Sequence, residues 1–361
     1  MFGIKLRKRR VASIWTKLGI AALSICLAIL ITSIMLILMG FNPANVYWKL
    51  FVGAFGTASG LLRTVTKTIP LLLVSLGLAI AFRAKAWNIG APGQMAIGAI
   101  AGGGVALFLL PNLPSYLLIP LIFIAGFLSG AGLAAICAIL NDKIGLDMVI
   151  STLLLNYVMF KLLNYLLYGP WQTEAAFPYT ETIPTSAQLP TLAGTDFHYP
   201  TLILGIATMV ALYVFLTRSS WGYEIRVFGE NPQASNYAGI SSFKVLVLVM
   251  MISGGLAGLA GAGEVMGVHH MLRRGITGAG AVYAASYGYT AIFIAWLGRN
   301  HPIGAGLASF FVAGILVGGQ NLQAEVAGLP YAMVSVILGL MLLLLMAGEF
   351  LIRHRIEFGG G

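Results

Sequence analysis

Charge is what this sequence has least of. Its 361 residues include 11 Asp and Glu and 21 Lys and Arg, so 9% are charged, where a water-soluble domain carries roughly a quarter. A surface that poor in charge does not face water, which excludes an ordinary soluble fold. Cysteine is nearly missing as well. Cys26 and Cys137 each lie in an apolar run, so neither a disulfide framework nor a thiolate metal site can be drawn. No hydroxyl or thiol stands in a nucleophile–base pattern, which leaves no candidate enzyme site. The pattern Gly-x-x-x-x-Gly-Lys-Ser/Thr is also absent, so the chain has no phosphate-binding loop with which to hydrolyse ATP.

What is there is apolar. Hydrophobic residues make up 59% and the mean hydropathy is +0.91. A helix needs about 20 mostly apolar residues to cross a bilayer. Such runs stand at residues 18–40, 67–83, 91–110, 116–140, 147–168, 199–217, 244–267, 286–298, 303–320 and 331–352. The expected fold class is therefore all-α: a single polytopic transmembrane domain over 1–361 with about ten spans, of which 286–298 is short for the task. Residues 45–62, with Trp48 and Phe51, suit a helix lying in the membrane interface. The basic cluster Lys5 to Arg10 and the run after it imitate a secretory signal. That run is too long and lacks a small-x-small cleavage site, so it reads as a retained first span. The 45 glycines cluster inside apolar runs, as at Gly102 to Gly104 and at Gly254, Gly255, Gly258, Gly261 and Gly263. Such clusters read as faces where helix backbones approach closely.

The net charge of +10 sits beside apolar runs rather than along a basic face, so it reports membrane orientation and not nucleic acid. Lys5 to Arg10, Lys17, Arg83, Lys85, Lys143, Arg218, Arg226, Lys244, Arg299, Arg353 and Arg355 fall on one face; Lys49, Arg63, Lys67, Arg273 and Arg274 fall on the other. The positive-inside rule then places both termini in the cytoplasm. Residues 170–200 become an external loop, whose five prolines favour an extended cap, and 218–243 an internal segment. Within the latter, Asn231 is a good N-cap, Pro232 suits the first helical position and Gly239 a left-handed C-terminal cap. A short helix over 232–238 follows. Capping alone leaves two readings open: an ordinary inter-span loop, or a lever that receives force from a motor domain.

Further stretches occur in order along the chain: Asn88-Ile-Gly-Ala-Pro-Gly-Gln94, Val149-Ile-Ser-Thr-Leu-Leu-Leu-Asn-Tyr157, Ser253-Gly-Gly-Leu-Ala-Gly-Leu-Ala-Gly261, Gly288-Tyr-Thr-Ala-Ile292 and Leu297-Gly-Arg-Asn-His-Pro302. With Trp221 to Ile240 they cover most of residues 68–330. The chain resembles the permease family of ATP-driven importers for branched-chain amino acids, ribose-type sugars and nucleosides, and is most similar to its nucleoside and simple-sugar branch. One departure is Pro92, where the family often carries Glu in Asn-Ile-Gly-x-Glu-Gly.

The resemblance implies an importer of nucleosides or simple sugars in the cytoplasmic membrane, with a fold like the vitamin B12-type permeases and two pseudo-symmetric halves. It also implies partners: membrane lipid, a second permease subunit that is often a different chain, two ATPase domains holding ATP and Mg, and an external binding protein or lipoprotein. No cofactor is implied on this chain. By the same analogy the 231–240 segment is the coupling helix, with Glu230, Asn231, Pro232, Ala234, Ala238 and Gly239 meeting an ATPase. Leu316-Val-Gly-Gly-Gln320 looks like the ATPase signature Leu-Ser-Gly-Gly-Gln, but it ends an apolar run in a chain without a phosphate loop, so it stands as chance.

An ionisable group at the centre of a span costs about 2.5–3.5 kcal/mol or more, so each one asks for a reason. Glu264 either faces the substrate path and accepts hydrogen bonds from hydroxyls, or sits near the outer end, solvated or paired with Arg273 or Arg274. Asn156, mid-span, either meets a ribose or base or bridges two helices; Gln94 and Gln320 are weaker versions of the same case. Lys161 can snorkel and Glu349 lies near the inner surface. His269 and His270 are adjacent, point apart on a helix and have no third ligand, so contact with an external binding protein suits them better than a metal. The alternative function is an ion-coupled secondary transporter, which needs paired titratable groups near the midplane. Glu264 alone represents them.

Overall fold

The computed structural model describes residues 4–8, 13–174, 177–192, 194–274, 287–326 and 328–358; Arg9, Arg10 and the first residue of the 286–298 run lie outside them. Thirteen helices form among these residues: α1 (Ile14–Leu38), α2 (Pro43–Phe55), α3 (Ala58–Arg83), α4 (Ala91–Gly104), α5 (Ser115–Ile144), α6 (Met148–Leu167), α7 (Tyr199–Arg218), α8 (Ser220–Glu230), α9 (Pro232–Tyr237), α10 (Ser242–Glu264), α11 (Tyr287–Leu297), α12 (Pro302–Glu325) and α13 (Tyr331–Arg353). The described residues also include an antiparallel pairing of β1 (Ile4–Lys8) with β2 (His354–Phe358) and an isolated bridge between Tyr179 and Arg273. Single-turn π-helical segments continue α4 over Val105–Leu109 and α10 over Val265–His269.

Among the described residues seven helices are long and apolar enough to cross a membrane: α3, α4 and α10 with their continuations where present, α5, α6, α7 and α12. An eighth span arises if α1 and α2, bent by 116° across the break between Leu38 and Pro43, count as one. The remaining two of the ten expected spans are present as helices with shorter apolar stretches, Tyr287–Leu297 and Ala332–Gly348. The largest difference from expectation is at α3, which starts at Ala58 rather than 67. Arg63 and Lys67 therefore lie inside a helix and not before it.

The chain folds into two compact units, one of residues up to Gly60 with those from Gly314 on, the other Leu61–Ala313. In the first, Leu36, Val46, Leu322, Met333 and Ile337 form a core. The Asn321 amide donates to Gly53 O at 2.6 Å there. In the second, α10 is the axis, buried without interruption from Ser253 to Gly267. Its glycines put backbone against backbone: a Cβ at Gly258 would land on Gly126 O of α5, one at Gly261 on Met95 O of α4, and one at Gly98 of α4 on Gly258 itself. Of the clusters read from sequence as packing faces, Gly254, Gly258 and Gly261 bring main chains together, while Gly102 to Gly104, Gly255 and Gly263 face side chains. Without a hydrophobic force between helices in lipid, close van der Waals approach of this kind is what binds them.

Among its described residues the proline-rich loop is irregular, with a 3-10 turn at Thr185–Ala187. It lies across the end of α10 by backbone bonds, Leu189 N to Met266 O at 3.0 Å, Ile183 N to His270 O at 2.8 Å and Thr180 N to Leu272 O at 2.9 Å. Ile183, Ala187 and Leu189 enter the same core as Val265, Met266 and Leu272.

Candidate functional site

Four of the sequence motifs meet around the loop that opens α4. Asn88 and Gln94 exchange two side-chain bonds of 2.9 Å each, and the Asn88 amide also donates to Ser253 Oγ at 2.9 Å. Asn88 Oδ1 accepts from Gly90 N at 3.0 Å. From α6, Thr152 Oγ1 accepts from Ile89 N at 3.2 Å, and Asn156 Oδ1 accepts from Gly93 N at 2.8 Å. The Asn156 amide returns a bond to Ile89 O at 2.9 Å and reaches Tyr289 Oη at 3.3 Å. Gly93 and Gly288 are needed as they stand, since a Cβ would meet Asn156 and Pro92 respectively. Pro92 lies in the first turn of α4, where it costs no helical bond, which suits it to the place where the resembled family often has Glu. The amides of Gln94 and Asn156 are thus spent within the protein, Asn156 bridging helices as one of its two readings supposed.

Glu264 stands apart from this network. It is 3% exposed, not solvated, and Arg274 is occupied elsewhere, donating to Tyr168 Oη at 2.8 Å. Its nearest ionisable partner is His269, with Nε2 3.6 Å from Oε2. That separation exceeds a hydrogen bond, and among the described residues Glu264 Oε2 has no hydrogen-bond partner. Of the two arginines offered by the sequence, Arg274 is engaged at Tyr168, and His269 is the ionisable side chain that stands beside the carboxylate. Arg273 and Lys67 contribute at longer range. The Lys67 ammonium donates to Tyr287 Oη and lies 4.9 Å from that ring's centre.

His198, just before α7, packs its ring on Gly267. Burial pushes its pKa down to about 4, so it is neutral at pH 7. Its Nδ1 bonds Thr201 Oγ1, while Nε2 has no partner among the described residues. Gln320 is exposed on α12 and Lys161 on α6.

The segment 231–239 folds as its caps predict. Asn231 Oδ1 accepts from Gln233 N at 3.0 Å and Ala234 N at 3.2 Å, α9 runs from Pro232, and Gly239 has φ +77°. Ser235 and Ile240 face inward, while Ala234, Ala238 and a 94% exposed Tyr237 face out. Before it, α8 buries Ile225 and Phe228. Gly229 touches Arg83 O at the end of α3, and Lys85 Nζ donates to Glu230 O at 3.3 Å. The turn so contacted leads directly into Asn88. Sequence reasoning missed Tyr237, Lys67 and His198. Only Tyr237 carried a usable signal, as a large aromatic in a short capped helix.

These helices and buried polar groups belong to a membrane transport permease. Residues 60–346 match the family described as branched-chain amino acid transport system / permease component, and the chain belongs to that family. It is similar to the glucose ABC transporter permease protein of Haloferax volcanii, 34% identical over 98% of this chain and 93% of the relative. It is also similar to the nucleoside ABC transporter permease protein of Lactococcus lactis, 31% identical over 89% and 88%. A third relative is the guanosine ABC transporter permease protein of Bacillus subtilis, 29% identical over 92% and 93%.

Proposed function

We propose that this permease passes nucleosides or simple sugars through the cytoplasmic membrane, with both termini inside, while separate ATPase subunits bind and hydrolyse ATP with Mg. A second permease chain and an external binding protein or lipoprotein complete the importer. The names of its relatives, which include glucose and nucleoside permeases, support that substrate class. In this reading α9, with Glu230, Asn231, Pro232, Ala234, Ala238 and Gly239, is the lever on which an ATPase pushes. Of the residues offered for the substrate route, Glu264 is the polar contact. Gln94 and Asn156 serve it by holding the loop that opens α4.

The observation that carries the proposal is the line of contact from α9 inward. Its outward face is small and exposed around Ala234 and Ala238, which fits a groove on a partner. Its neighbour α8 is fixed at Gly229 and Glu230 to the turn after α3. A push on α9 is delivered to the loop of Asn88. The test is the double substitution Ala234→Asp with Ala238→Asp in the assembled importer. Buried interface charge without a partner costs several kcal/mol, so ATP-dependent uptake falls roughly ten-fold or more while the permease keeps its melting temperature. Unchanged uptake overturns the lever.

A further inference from the structure

The buried carboxylate of Glu264 belongs to the larger unit, and the network around Asn88 does not absorb its chemistry. Three observations bear on it. First, a side chain 3% exposed keeps an acceptor, Oε2, that no described residue fills; an acceptor left so is destabilising unless something else uses it. Second, regular helix stops at this residue, and the π-helical turn Val265–His269 begins. Such turns recur at functional sites because they widen the backbone and re-aim side chains. Third, donors stand around it without closing on it. His269 Nε2 is 3.6 Å away, and the Lys67 ammonium, anchored on Tyr287 Oη, and Arg273 act on it across a gap.

The chemistry of the missing partner follows. Lys67 and Arg273 offset part of the carboxylate's charge, so the site suits a neutral solute; an anion would be repelled by Glu264 and a cation by the two basic groups. Among the described residues no group of three His, Cys, Asp or Glu could hold a metal ion. A carboxylate offers two oxygens side by side and only accepts, whereas a hydroxyl both donates and accepts. Two hydroxyls on neighbouring carbons can each donate to one carboxylate oxygen and turn a lone pair to a cationic donor. We propose that Glu264 is the acceptor for a vicinal diol of the transported solute. The inference rests on the permease reading above. A vicinal diol is shared by the ribose of nucleosides and by pyranose sugars, so it is the feature common to both sources.

Saturation-transfer NMR on the full chain in lipid nanodiscs tests it, with methyl β-D-ribofuranoside and its 2-deoxy counterpart in one arm. The other arm uses methyl β-D-glucopyranoside and its 3-deoxy counterpart; both deoxy probes lack every vicinal hydroxyl pair. The expected result is a signal from at least one diol probe at millimolar concentration and roughly a tenth of it from the matching deoxy probe, a loss of one well-made hydrogen-bond set. Which arm responds identifies the source. Glu264→Gln lowers the diol signal to the deoxy level, and Glu264→Asp keeps part of it.

Equal signals from a diol and its deoxy counterpart on the unaltered chain overturn the proposal, a comparison that needs no variant to fold. So do silence from both diol probes, or Glu264→Gln retaining the discrimination. None of these measurements involves an ATPase. They therefore fail separately from the permease reading, which falls if uptake by the assembled importer proceeds without ATP hydrolysis.

Discussion

Around Asn88, the buried amides and hydroxyls of Gln94, Thr152, Asn156 and Ser253 all find partners; around Glu264 and His198, a carboxylate oxygen and an imidazole nitrogen find none among the described residues. Both regions lie in the same unit and both are buried, so solvent access does not separate them. The difference lies in what the polar groups are for. A satisfied network fixes one backbone arrangement and stabilises it. An unsatisfied group detracts from stability and is kept for what it meets at another moment. Two classes of polar residue inside a membrane protein, those that hold and those that wait, can be told apart by counting bonds.

The sharpest way to break that comparison is at Asn88. Asn88→Ala removes bonds to Gln94, Ser253 and Gly90 together and leaves buried partners unmade. The loss is about 2–3 kcal/mol, read as a lowered melting temperature in detergent. A smaller effect is expected at Ser253→Ala, which deletes one interhelical bond, typically about 0.6 kcal/mol. If Ser253→Ala destabilises as much as Asn88→Ala, the network is not shared as described. The smallest effect belongs to Glu264→Gln, where a buried charge is exchanged for a neutral amide of the same shape. Stability should hold or rise slightly. A melting temperature that drops as far as in Asn88→Ala would erase the distinction between the two regions.

The sequence made some of this plain and hid the rest for identifiable reasons. Helix α9 was legible because its signals are local: Asn231 caps, Pro232 begins and Gly239 ends within nine residues. So was α6, whose apolar run begins at Asp147, a cap that accepts from Ile150 N at 3.0 Å. The start of α3 was not. Thr66, Lys67 and Thr68 break its hydropathy, yet Thr66 Oγ1 bonds Leu62 O at 2.9 Å and Thr68 Oγ1 bonds Thr64 O at 2.8 Å, returning their polarity to the helix itself. Lys67 is met by Tyr287, 220 residues away in sequence. The motifs were visible as strings, but their convergence was not, because Ser253 reaches Asn88 across 165 residues and spacing carries no trace of that. Glu264 was recognised as needing a reason; the nearness of His269 was not, because residue spacing does not announce the π-helical turn that follows Glu264.

The glycine contacts among α4, α5 and α10 constrain any working cycle. Where two side-chain layers lie between helices, one rod can slip or roll on the other by exchanging rotamers. Where carbonyl oxygens rest directly on the neighbouring main chain, as at Gly126, Gly258 and Gly261, no lubricating layer exists. While those contacts hold, these three rods form one keel, and any motion within this unit falls to the elements around it.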